Sequence, residues 1–592
     1  MSNHVKEKHN FDDPHTWGYI HYAIRNLEIM PSMRCMMTAG PALDKTHVAG
    51  YNCAYLVVDS LRAFDEAMYI LMCGTGVGFS VENKYVSQLP VVGDALGLCD
   101  QPVVRVADSK EGWAIALRNI ISALFAGKQP TWDTSQVRPA GARLKTFGGR
   151  ASGPGPLEEL FGYVSEILTK ARGRQLTSLE CHDILCKIAE VVVVGGVRRS
   201  AMISLSDLND EGARHAKHGS WWDTEPQRGL SNNSAVYVGR PSVGEFLREW
   251  QSLYDSKSGE RGIFNREASR VQASRNGRRT LIEDYGTNPC SEIILRPYQF
   301  CNLTEVVVRP SDTLGTLERK VRLATTLGTF QSTLTEFKYL RRIWRTNTEE
   351  ERLLGVSLTG ILDHPTLASD PAWLGHLKRV AIECNAELAA KLGIQQSVAI
   401  TCVKPSGTVS QLVDSASGIH PRHSPYYIRT VRGDAKDPLT TFLKDQGIPW
   451  EPDHTSPNNT VVFSFPQRSP EGALCRSDLS ANSHLEIWKN IQEYWCEHKP
   501  SITVNVRENE WVGVSSWVWD NFDILSGVAF LPFSEHTYQQ APYQDITEQE
   551  YHEWMERMPP SIDWEKLKDY EQDDNTTGSQ EYACASGFCE IV

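Results

Sequence analysis

GTNPCSEIIL, residues 286–295, sets Cys290 between a proline and a serine, with Asn288 two positions before it and Glu292 two positions after. In an extended segment side chains alternate, so positions i, i+2 and i+4 share a side. One thiol would then be flanked on one face by an amide and a carboxylate. Pro289 lacks an amide hydrogen and suits a central strand poorly, which predicts a loop or strand edge presented to a cavity. The same residues also suit a buried cysteine in a strand whose two polar neighbours face solvent, and this stretch alone leaves both readings open.

Around it, 592 residues exceed one ordinary core and predict either several domains or a large barrel. The composition, 41% hydrophobic and 22% charged, is that of a globular enzyme able to bury a sizeable core. A net charge of -13 argues against nucleic acid as the main partner, although a local basic pocket for a nucleotide is compatible with it. The first residues, MSNHVKEKHNFDD, are polar, and apolar runs such as VVVVGGV (191–197) are too short for a bilayer, so a cytoplasmic protein without membrane contact is expected. The 14 cysteines are then mostly reduced, a disulfide scaffold is not expected, and any cysteine that cycles does redox chemistry.

Helices and strands alternate along the chain. In TSLECHDILCKIAEVVVVGGVRRSAMISL (177–205), Thr177 and Glu180 predict a capping box, followed by an amphipathic helix and a β-branched run. Cys181, His182 and Cys186 resemble metal ligands at first sight, but on a helix the two thiols face different ways, and no metal is expected. SVAITCVKPSGTVSQLV (397–413) predicts a strand, a turn through Pro405, Ser406 and Gly407, and a helix from near Thr408. Such a turn aims backbone amides at an anion, without the spacing of a Walker loop; an ordinary strand-to-helix turn has the same residues.

CGTGVGF (73–79) has three alternate glycines but departs from the dinucleotide pattern. DPHTWG (13–18) matches a short DxHxxG cobalamin string without its usual companions, and is read as a chance match. The final DYEQDDNTTGSQEYACASGFCEIV is too polar to bury itself, which predicts a flexible tail carrying Cys584 and Cys589.

Taken together, MPSMRCMMTAG (30–40), GYNCAYL (50–56), CGTGVGF, RPAGARLKTFGGRASGP (138–154), GGVRRSAMISL (195–205), NPCSEI (288–293), FCNLTEV (300–306), KPSGTVS (404–410) and the two-cysteine tail resemble the ribonucleotide reductases. They resemble specifically the adenosylcobalamin-dependent class II ribonucleoside-triphosphate reductases, in the family's order over nearly the whole chain. The resemblance implies a ten-stranded α/β barrel of the ribonucleotide reductase and glycyl radical enzyme type, with a central finger loop. It divides the chain into an N-terminal helical segment (1–29) without an ATP cone, the barrel (30–570) with effector-binding helices and loops at about 95–240, and a redox tail (571–592).

The same resemblance assigns roles. A thiyl radical on Cys290 takes the 3′ hydrogen of the ribose, Glu292 takes the proton of the 3′ hydroxyl, and Asn288 hydrogen-bonds the substrate hydroxyls. Cys53 and Cys301, a thiol pair across the barrel, supply the electrons for loss of the 2′ hydroxyl as water. Cys584 and Cys589 re-reduce that pair and are recharged by a thioredoxin-like protein. Pro405, Ser406, Gly407, Thr408, Val409 and Ser410 hold the substrate phosphates. Asp108, Arg143, Lys145, Arg150, Arg198 and Arg199 belong to the site and loops that read a deoxynucleotide effector, in a monomer or a homodimer.

Family branches differ in how the thiyl is made. No RxxGY-like glycyl radical motif is present, and the only adjacent tyrosine pair, Tyr426 and Tyr427, lies just after the phosphate turn, away from the late barrel segment where a relay from a metal subunit would end. Adenosylcobalamin is therefore the expected radical source, with no metal held by the protein's own side chains. The alternatives are a catalytic subunit that needs a separate radical-generating metal subunit and a non-radical thiol-disulfide oxidoreductase.

Overall fold

Five strands, β1 (Cys53–Val57), β2 (Gly76–Ser80), β3 (Met202–Asp207), β4 (Ser231–Tyr237) and β5 (Gly262–Asn265), run parallel in that spatial order. A second parallel set consists of β6 (Gln299–Val307), β7 (Leu354–Thr359) and β8 (Thr401–Cys402), together with β9 (Thr503–Val506) beside β10 (Gly527–Pro532). The sets meet antiparallel at two seams, β1 with β6 and β5 with β10. The ends of this ten-stranded path, β8 and β9, are joined by one parallel bridge between Val403 and Pro500. There the Val403 N–H donates to the Lys499 carbonyl at 3.1 Å, and the Ser501 N–H donates to the Val403 carbonyl at 2.7 Å. The architecture is the expected ten-stranded α/β barrel, with one bridge where a full ladder would complete the ring. The computed structural model describes all residues except 95–101, 141, 143–150, 195–200, 365, 455–456, 534–539 and 572–592.

Parallel strands covered on both faces need near-continuous burial. β1 and β6 are buried at every position, and CAYLV and QFCNLTEVV supply the apolar and small residues this demands. Helices cross between successive strands: α1 (Arg62–Met72) links β1 to β2, and the longest excursion, from β2 to β3, carries α2 (Lys110–Phe125), α3 (Gly155–Lys170) and α4 (Ser178–Val194). The second half repeats the pattern with α5 (Leu314–Gln331) before β7 and α6 (Pro371–Leu392) before β8.

Local chemistry sets the helix ends. The capping box at α4 is present, with the Thr177 N–H donating to Glu180 Oε2 at 2.9 Å and the Glu180 N–H donating to Thr177 Oγ1 at 3.2 Å. α6 starts at Asp370-Pro371 and stops at Gly393, whose φ of 65° is the left-handed cap glycine adopts without penalty. In DPHTWG, Asp13 accepts from the N–H groups of His15 and Thr16 and caps the helix Pro14–Arg25, a structural use of that string.

The apolar core falls mainly into two clusters, each drawing on both sets of strands. Tyr55, Phe79, Leu117, Phe161 and Phe300 belong to one cluster, and Val306, Leu354, Trp488 and Trp495 to another. A separate antiparallel sheet of four strands, spanning 426–434, 450–452, 460–468 and 543–545, follows the turn after β8. No helix among the described residues is long and apolar enough to cross a membrane.

Candidate active site

Gly286–Thr287 and Ile294–Leu295 pair antiparallel, so residues 288–293 form the tip of a hairpin. Glycines on the surrounding strands make room for it. A Cβ added to Gly78 on β2 would overlap the Thr287 carbonyl, one on Gly76 would lie 2.9 Å from the Pro289 ring, and one on Gly355 of β7 would lie 3.1 Å from Ile293. Gly527 on β10 similarly faces Ser291, and Gly286 itself lies against the Tyr55 ring. The alternate glycines of CGTGVGF therefore form a channel wall for the hairpin, a purpose that spacing alone did not show.

The tip is not extended. Ser291 has φ of 63°, and its N–H donates to the Asn288 carbonyl at 2.9 Å. Alternation along a strand is thus not what unites Asn288, Cys290 and Glu292; a tight turn does. Asn288 Oδ1 accepts the Ile293 N–H at 3.0 Å, across the neck of the turn.

Glu292 is 1% exposed, and its Oε2 has no hydrogen-bond partner. Burial pushes its carboxyl above the ordinary carboxylate range, while Asn288, Lys404 and Lys499 act in the opposite direction. A buried carboxylate with a free oxygen is matched to a hydroxyl proton that the protein itself does not supply. Cys290 is part-exposed, whereas the other ten cysteines among the described residues are buried. Burial and then the Glu292 charge push its thiol up, which favours the S–H form at neutral pH.

Cys53 on β1 and Cys301 on β6 are direct partners across the antiparallel seam, on neighbouring strands and not on opposite walls. Both are free thiols. Antiparallel partners have Cα atoms about 4.5–5.5 Å apart, inside the window a disulfide needs. Burial raises both thiols well above the ordinary value and Glu292 adds to the effect; Arg279 opposes it at Cys301.

At KPSGTVS the strand, turn and helix fall as expected, with the helix at Val409–Val413 and Thr408 as its cap. Lys404 ion-pairs with the fully buried Glu305 of β6, and the Ser406 hydroxyl donates to the same carboxylate. Ser406 takes φ of 57°, and its carbonyl accepts the Ser410 N–H at 2.9 Å. Ser410 Oγ meets Ser417 Oγ at 2.7 Å. The turn is thus held from inside the barrel by Glu305, and the hydroxyl of Ser406 is already committed. Lys404, Glu305 and Lys499 were missed from sequence; an acid inside the buried strand FCNLTEV was the one available signal.

Asp108, just before α2, accepts from Arg138 Nε at 2.8 Å. Arg143, Lys145, Arg150, Arg198, Arg199, Cys584 and Cys589 lie outside the described residues. His182 is held between Asp183 Oδ1 at 3.1 Å and Asn233 Oδ1 at 3.2 Å. Burial lowers its pKa, but Cys186 and Asp183 outweigh that and raise it to about 10. Among the described residues no group of three or more His, Cys, Asp or Glu is placed to hold a metal ion.

A family model described as the insertion domain of B12-dependent ribonucleotide reductase matches residues 87–168. Adenosylcobalamin-dependent ribonucleoside-triphosphate reductases of Levilactobacillus brevis and Lactobacillus acidophilus are 29% and 27% identical to the chain. The matches cover 80% and 88% of this chain and 72% and 79% of those proteins. Over most of its length the chain is similar to the class II, B12-dependent ribonucleotide reductases. A crystal structure of a B12-dependent class II ribonucleotide reductase has the same fold as this chain, with a TM-score of 0.80 over 94% of this chain and 88% of that one at 24% identity. The matched insertion segment holds Asp108, α2 and most of α3, within the excursion between β2 and β3.

Proposed function

We propose that this reductase converts ribonucleoside triphosphates to 2′-deoxyribonucleotides through a radical on Cys290. The observation that carries the reading is one turn, inside a barrel, bearing a part-exposed thiol and a carboxylate with a free buried oxygen, beside two opposed thiols. The residues present fit adenosylcobalamin, because Cys290 alone among the described cysteines is part-exposed. When bound, that cofactor supplies a radical equivalent by homolysis of its cobalt–carbon bond; Cys290 is the residue that would face it.

The Cys290 thiyl takes the 3′ hydrogen atom of the ribose, and Glu292 accepts the 3′ hydroxyl proton while Asn288 orients the hydroxyls. The 2′ oxygen leaves as water. Cys53 and Cys301 give two electrons and two protons and become a disulfide, and Cys290 returns the hydrogen atom to C3′. Pro405, Ser406, Gly407, Thr408, Val409 and Ser410 bind the phosphates chiefly through backbone amides, since Glu305 already holds the Ser406 hydroxyl. Cys584 and Cys589 reduce the Cys53–Cys301 disulfide by exchange and are recharged by a thioredoxin-like protein. A deoxynucleotide bound near Asp108, Arg143, Lys145, Arg150, Arg198 and Arg199 selects the substrate base.

The test is incubation of the purified chain with adenosylcobalamin, a dithiol, a deoxynucleotide effector and each ribonucleotide as di- and triphosphate. Deoxynucleotide formed preferentially from triphosphates is the expected result. Product that requires a diiron partner and ignores adenosylcobalamin would establish the metal-subunit mechanism instead.

A further inference from the structure

The finger hairpin is held from below by a residue that no motif of the chain contains. Lys499 lies where the barrel closes: its carbonyl accepts the Val403 N–H of the closing bridge, and its N–H donates to the Glu292 carbonyl at 2.9 Å. Its side chain is fully buried, an unusual place for a lysine. Nζ donates to Ser291 Oγ at 3.2 Å and to Thr287 Oγ1 at 3.4 Å, and the Thr287 hydroxyl in turn donates to the Ile293 carbonyl at 2.9 Å. The ammonium also lies 4.8 Å from the centre of the Phe264 ring on β5. No carboxylate among the described residues lies within ion-pairing distance of it, and Glu292 acts on it only through space.

Resting on the function proposed above, we infer that Lys499 is a positioning residue: it clamps the first stem and the tip of the hairpin to the closing strands and so fixes where Cys290 and Glu292 stand. The chemistry suits this task. Ser291 occupies the left-handed region and needs an external partner to stay there. Lysine's three donors let one group hold two hydroxyls of the hairpin while leaving the substrate side of the turn open. Burial pushes the amine down to about 7, with Glu292 opposing, so its charge responds to the carboxylate that serves as base.

The experiment compares wild type with Lys499→Met and, because the larger change can disturb folding, with Ser291→Ala, which removes an acceptor and leaves the lysine. Amide hydrogen exchange at residues 290–294 is measured on the chain without cofactor, and steady-state kinetics on the loaded enzyme. Exchange in the loop is expected to rise about tenfold or more as the local opening becomes easier. kcat is expected to fall about 100-fold with KM little changed, the cost of a reacting group displaced by about an ångström. Unchanged loop exchange and unchanged kcat in Ser291→Ala would overturn the inference, whatever Lys499→Met does to folding. Because exchange reports on the loop without turnover, a wild type that made no deoxynucleotide would overturn the proposed function and leave the clamp standing.

Discussion

Cys53 and Cys301 face each other across the seam where the two halves of the barrel meet, 248 positions apart in the chain and direct neighbours in the fold. Their thiols are buried and raised, so thiolate chemistry from bulk solvent is slow at neutral pH. Native alkylation at pH 7.5 is therefore expected to modify Cys290 and spare this pair. In a Cys584→Ser, Cys589→Ser variant, which cannot pass the disulfide on to the tail, peptide mapping after a turnover without external reductant should find one Cys53–Cys301 disulfide per product formed. Product without that disulfide would remove the pair from the reaction.

Glu292 gives a pH signature. Its folded pKa is raised, so between the ordinary carboxylate value and the folded one the native state binds more protons than the unfolded chain. Stability from this group is complete at low pH and is lost as pH rises through the folded pKa. Glu292→Gln is therefore expected to raise Tm relative to wild type at pH 8 and to leave it unchanged near pH 4, while abolishing turnover. The same variant should speed Cys290 alkylation, since it removes the charge that helps hold the thiol protonated.

Gly78 on β2 gives a steric test. An alanine Cβ there meets the Thr287 carbonyl, backbone against backbone, and neither partner can rotate away. Gly78→Ala is expected to cost about 1–3 kcal/mol in chemical denaturation and to lose nearly all activity, because the hairpin must shift. An active Gly78→Ala enzyme would mean that the finger tolerates displacement.

Glu305 secures the phosphate turn from within. Glu305→Gln leaves the part-exposed Lys404 beside a neutral amide, which for a broken internal ion pair costs up to about 3–5 kcal/mol. KM for ribonucleotide is expected to rise more than kcat falls, as Ser406 loses the carboxylate that positions it. Isothermal titration with substrate on the variant checks this without turnover.

Much of this was legible in the sequence, for identifiable reasons. Asn288, Cys290, Glu292, Cys53, Cys301 and the Pro405–Ser410 turn sit in compact strings whose order follows the barrel, so chemistry and chain order agreed. The conformation of the finger was not legible, because alternation along a strand and a tight turn can unite the same residues; the left-handed Ser291 decides between them. The glycine channel was hidden for a related reason: Gly76, Gly78, Gly355 and Gly527 lie on three strands far apart in sequence, and their shared purpose exists only once the hairpin is in place. Lys499 gave no local signal and Glu305 only that of an acid inside an apolar strand, because their partners are brought to them by barrel closure and strand pairing.

The five-plus-five arrangement of the barrel also bears on synthesis. Cys53 belongs to the first set of strands and Cys301 opens the second, so a ribosome-bound chain that has completed only β1 to β5 holds one member of the proposed redox couple and has yet to make the other. The oxidisable pair comes into existence at the seam, as the last half docks. A nascent reductase is thereby spared this cross-link until there is a cavity in which to use it.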